Sequence, residues 1–146
     1  MKTLEVINQI KQIAKNNQER ESSQKTRFIT KDNLPIGKCI RQGDIYVFRM
    51  DNDWGVGEEV KRNQIADGVS LGARHILNGD FKVYQGVSVP KFLNKVHARV
   101  CIGYAFDVKD GCVLGHPEHD NYVFKLNGRF QVLHQLDLQT LKRAAD

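Results

Sequence analysis

The chain has 146 residues, a length at which one domain buries a core without help from disulfides or metal. Its 40% hydrophobic and 27% charged composition excludes the disordered class, and three cysteines without a C-x-x-C pair exclude a disulfide framework and a zinc ribbon. The net charge of +5 suits a polyanionic or acidic partner, and +3 of it falls in residues 1–28, where six basic side chains face three acidic ones.

Met1-Lys2 is followed by mixed polar and apolar residues, so neither a signal peptide nor a membrane span is predicted, and the expected location is a virion or the cytoplasm. Leu4, Ile7, Ile10 and Ile13 recur at a spacing of three behind Thr3 as N-cap, joined by Val6 and Ala14, which predicts an amphipathic helix. The stretch 16–25, NNQERESSQK, has no aliphatic residue and predicts a polar arm. Residues 1–33 are therefore read as helix and arm, and 34–146 as a β-rich domain. An isolated helix of this length is marginal in water, so its apolar stripe must rest on the body or on another chain. Leu4, Ile7, Ile10 and Ile13, with Lys11 and Lys15, are the candidate partner-binding residues.

Beyond residue 34 the period changes to two. IRQGDIYVFRM, 40–50, predicts one strand with a bulge or bend at Gly43. A polar loop with Trp54 follows, the indole read as a core anchor in preference to an exposed contact. Residues 74–84 predict a hairpin turning at Asn78-Gly79, a pair suited to the positive φ of a type I′ turn. Residues 98–108 predict the longest strand, and Lys109-Asp110-Gly111 a turn returning into CVL. Residues 121–136 predict a second hairpin at Asn127-Gly128, with Tyr122, Phe124 and Leu126 opposite Val123. Residues 137–146 predict a short C-terminal helix capped by Asp137. The sum is a mainly β protein, a small β-sandwich or barrel with an N-terminal amphipathic helix and a short C-terminal one.

His116-Pro117-Glu118-His119 carries the strongest local chemistry. Proline restrains His116 to extended backbone, so the motif predicts a β-turn that brings its first and last residues within about 7 Å. Two imidazoles so placed are candidate metal ligands, with His75, His97, His134, Glu118 or Asp120 completing a cupin-like shell; the competing reading is a purely structural turn. Cys101 and Cys112 lie in apolar strand patterns, where a thiol is an inert small hydrophobe. G-x-S-x-G, Walker and G-x-G-x-x-G patterns are absent, and Gly55 and Gly57 form only a G-x-G, so no catalytic residue and no cofactor is assigned. Lys82, Lys91, Lys95, Arg99 and Lys125 are scattered among Tyr84, Phe92, Tyr104 and Phe124, a pattern equally expected of any β domain, so nucleic acid is a partner class mainly through the basic arm.

Gln42-Gly43-Asp44, His75 through Asp80, His116 through His119 and Gly128 through Gln135 resemble the motifs of a group of small, functionally uncharacterised β-rich proteins of bacteria and their phages. The segment Gly72-Ala73-Arg74-His75 departs from that pattern, in which G-H-x-H is commoner, and so loses one metal ligand. The resemblance implies a β fold and a phage source and supplies no activity. The reading it favours is a non-enzymatic structural protein, an auxiliary, capsid-associated component of a phage particle, docking on other protein subunits through its N-terminal arm. The alternatives are a cupin-like metal-dependent enzyme or metal sensor using His75, His116 and His119, and a nucleic-acid-binding module.

Overall fold

The computed structural model describes residues 25–67, 74–91, 101–137 and 142–143. In chain order the strands are β1 (Thr26–Ile29), β2 (Cys39–Gln42), β3 (Ile45–Met50), β4 (Glu59–Val60), β5 (Gln64–Asp67), β6 (Arg74–Asn78), β7 (Phe81–Tyr84), β8 (Ile102–Val108), β9 (Val113–Gly115), β10 (Asn121–Phe124), β11 (Gly128–His134), β12 (Leu136–Asp137) and β13 (Lys142–Arg143). They form a five-stranded sheet, β1-β10-β9-β6-β5, and a six-stranded sheet, β2-β3-β11-β8-β7-β4, with β12 and β13 as a separate pair. The mainly β, sandwich-like reading holds. Within the two sheets every pairing is antiparallel except that of β1 with β10.

The alternating side chains meet between the sheets. Phe106 and Phe130 of the second sheet stack with ring centroids 5.4 Å apart, and Phe124 of the first sheet tilts against Phe130 at 4.9 Å. Ile45, Val47, Leu77, Val83, Leu114 and Val132 are buried around them. Tyr122, Phe124 and Leu126 are buried while Val123 is half-buried, which is the expected alternation.

Several local expectations change. Residues 40–50 form two strands of a tight hairpin, not one bent strand: Gln42 pairs directly with Ile45, and Gly43, at φ 59°, and Asp44 make the turn. Neither Asn-Gly pair closes a hairpin. β6 belongs to the first sheet and β7 to the second, and likewise β10 to the first and β11 to the second, so both segments are corners that pass between sheets. The turn after β8 is a third such corner, since β8 and β9 also lie in different sheets. Once these chains cross, their free backbone groups bond one another: Lys109 N donates to Asp80 O at 2.9 Å and Gly111 N to Phe124 O at 2.7 Å. Packing of the strands' apolar faces on both sides of the core outweighs the local turn preference.

Thr26–Ile29, assigned to the arm from sequence, is an edge strand of the first sheet. The expected helix carrying Leu4, Ile7, Ile10, Ile13, Lys11 and Lys15 lies outside the described residues. Most of the expected C-terminal helix does too; where 137–146 is described, Asp137 pairs with Lys142 as antiparallel strand. Among the described residues no helix is long and apolar enough to cross a membrane.

Candidate functional site

The end of the sandwich opposite the three corners gathers the polar residues of the short motifs. The β2–β3 hairpin brings Gln42 and Asp44 there, β6 supplies His75, and the chain leaving β9 supplies His116 and His119. Gln42, Asp44, His75 and His116 are all buried. The imidazoles of His75 and His116 lie 4.6 Å apart between centroids, and those of His116 and His119 lie 4.3 Å apart, tilted by 48° and 39°. The structure thus brings together all three histidines proposed as metal ligands, in a row that runs from the core outward to half-buried His119.

The nitrogens are less available than the proximity suggests. His75 Nδ1 lies 2.8 Å from Gln42 Oε1 and His75 Nε2 lies 3.0 Å from Asp44 Oδ1, so both positions a metal would use are engaged. His116 Nδ1 accepts from the Glu118 amide at 3.0 Å, which folds the Pro117 turn back on itself. The rings contact one another as tilted plates, and among the described residues no group of three or more His, Cys, Asp or Glu side chains is placed to hold a metal ion. Gln42 holds its own orientation by donating from Nε2 to Leu114 O and Asp120 O at 3.3 and 2.9 Å. The cluster therefore ties the hairpin of the second sheet to three strands or loops of the first. Sequence reasoning found the histidines but not Gln42 and Asp44 as their partners; the signal was present in Gln42-Gly43-Asp44, whose tight turn puts both polar side chains at one strand end.

Asp120 organises the adjoining margin. Its carboxylate accepts from the Lys25 amide at 2.9 Å and from Arg27 Nε at 2.7 Å, while Asn121 N donates to Lys25 O at 2.9 Å. The hydrogen bonds from Lys25 and Arg27 hold the Asp120 carboxyl below the usual carboxylate range. This latch fixes the start of β1, and Phe28 beside it is 53% exposed.

The remaining sequence candidates are absorbed by the fold. Burial pushes the Cys112 thiol up to about 11 and raises that of Cys101, which keeps both protonated. Trp54 is half-buried and donates its indole N–H to Gln131 Oε1 at 3.0 Å. Of the aromatics considered for stacking on bases, Phe124 is in the core, while Tyr104 and Tyr84 lie under Arg62 and Arg129 at 4.9 and 5.4 Å. His97, Phe92, Lys95 and Arg99 lie outside the described residues.

Compared with known proteins, the chain matches no family model, no curated protein and no solved structure.

Proposed function

We propose that this protein is a non-enzymatic interaction module: a β-sandwich subunit that joins other protein subunits of a larger assembly through the segment preceding β1. The observation that supports this reading is the Asp120 latch. It anchors Lys25 and Arg27 at the edge of the first sheet, so the segment carrying Leu4, Ile7, Ile10 and Ile13 joins the described fold at the sandwich margin. An apolar stripe of that kind gains stability by burial against a groove, and Lys11 and Lys15 favour an acidic one. Assembly in a phage particle rests on the motif resemblance alone.

Sedimentation velocity tests the proposal on the full chain and on a deletion of residues 1–24, which spares β1. The full chain is expected to associate, and the truncated chain to keep its β circular dichroism spectrum and sediment as a monomer. A monomeric full chain whose melting temperature falls on truncation would assign the helix to its own core.

The metal-dependent reading retains one specific observation, the contact of His75, His116 and His119. Elemental analysis of the purified protein decides it: about one zinc or iron per chain, lost in His116→Ala/His119→Ala, would place a metal function above the interaction reading.

A further inference from the structure

The corner end of the sandwich encloses a recess of about 310 Å3. On its floor Lys82, Asp107 and Arg129 stand side by side, because Asp107 on β8 is the cross-strand partner of Lys82 on β7 and of Arg129 on β11. Asp107 is already committed. Arg129 Nε and Nη2 bind its two oxygens at 2.8 and 2.9 Å, and the Tyr84 hydroxyl donates to it at 3.3 Å. Arg129 is itself held by Trp54 O, which accepts from Nη1 at 2.7 Å. These bonds make a rigid floor.

The walls differ. Lys82 and Lys109 are exposed, and among the described residues neither has a carboxylate within ion-pair distance. Asn127 accepts from the Asp110 amide at 2.8 Å through Oδ1, so the donor half of its carboxamide is what remains for a ligand. Asp80 and Asn52 add acceptors on the same lining. Two unpaired ammonium groups call for an anion, while a free carboxylate and two carboxamides call for groups that both donate and accept, which is the chemistry of hydroxyls. Three cations against two carboxylates, a local balance of +1, suit a ligand with one anionic group better than a polyphosphate.

We propose that this recess binds a small polyhydroxylated anion with the chemistry of an acidic sugar. Lys82 and Lys109 receive the anionic group, and Asp80, Asn52 and Asn127 receive the hydroxyls. The site lies at the far end of the sandwich from the Asp120 latch and does not depend on what the N-terminal segment binds.

The test is two-dimensional amide NMR of the full chain titrated with D-glucuronate, glucose 6-phosphate, glucose and sodium sulfate at constant ionic strength. Saturable shifts centred on the amides of Lys82, Lys109 and Gly128 are expected with an acidic sugar; glucuronate alone marks carboxylate recognition, and glucose 6-phosphate alone marks phosphate. Glucose is expected to bind at least about ten-fold more weakly, as is either acidic sugar to Lys82→Gln/Lys109→Gln, a variant that changes only exposed side chains and keeps the remaining spectrum. The proposal is overturned if neither acidic sugar gives saturable shifts, if glucose or sulfate binds equally well, or if the double variant binds unchanged.

Discussion

Gln42 determines where His75 carries its proton. The Gln42 Nε2 hydrogens go to the carbonyls of Leu114 and Asp120, so Oε1, 2.8 Å from His75 Nδ1, faces the ring as an acceptor. Nδ1 is therefore the nitrogen placed to donate to Gln42, and Nε2 is engaged by Asp44 Oδ1 at 3.0 Å. A general base or metal ligand needs a nitrogen lone pair directed at its target, whereas this imidazole bridges two sheets.

Removing one end of that bridge leaves a polar ring in a site with 0% exposure. Asp44→Ala is expected to lower the unfolding free energy by about 3 kcal/mol in urea denaturation, the scale for breaking a buried charged or hydrogen-bonded pair. His75→Ala should cost a similar amount, and the double variant less than the sum by about 1 kcal/mol or more. Additive losses would show that the two side chains act independently.

The Asp120 latch gives stability a pH dependence of defined sign. The folded carboxyl titrates below its unfolded counterpart, so its contribution is complete above the ordinary carboxylate value and is lost as pH falls through the lower, folded one. Between about pH 5 and pH 2, the stability difference between the natural protein and Asp120→Asn is expected to shrink as the pH drops. A difference that stays constant over that interval would mean that Lys25 and Arg27 do not hold the charged form.

The aromatic contact between sheets should dominate the core. Phe130 has 0% exposure and touches both Phe106 and Phe124, so Phe130→Ala is expected to cost about 3–5 kcal/mol by calorimetry or urea denaturation. Phe130→Leu, which retains most of the volume, should cost appreciably less. Equal losses would indicate that the ring geometry, not the filled volume, carries the stabilisation.

How far the fold can be read from sequence varies with the range of the interaction. The alternation of Tyr122, Phe124 and Leu126 against Val123 is set by one strand's pleat and is legible residue by residue. Sheet membership is not, because an Asn-Gly pair reports only local backbone freedom, and both Asn78-Gly79 and Asn127-Gly128 connect strands of different sheets. The tight turn at Gly43-Asp44 is legible in principle as a two-residue loop that contains glycine, but it is hidden by the continuous β pattern around it. The histidine cluster is half legible: Pro117 localises His116 and His119, while the distance of 31 residues in sequence between Asp44 and His75 leaves no local trace of their bond.

The two Asn-Gly glycines also differ in what they tolerate. Gly79 sits at φ 122°, and a Cβ there would approach Cys112 Cα to 3.0 Å, so both the backbone and its neighbour oppose a side chain. Gly128 is not among the glycines with positive φ, and a Cβ there would meet the Phe130 ring edge at 3.3 Å and Leu126 at 3.6 Å, contacts that small ring and rotamer shifts can relieve. Gly79→Ala is therefore expected to destabilise by more than about 1 kcal/mol, and Gly128→Ala by less than that. Gly86→Ala should be worse than either, because its Cβ would collide with the Gly103 carbonyl oxygen and force the extended segment after β7 away from β8. Thermal melts of the three single variants order them directly. If Gly128→Ala proved the most damaging, the second Asn-Gly pair would be a strained turn after all, and its passage between the sheets would have to be redrawn.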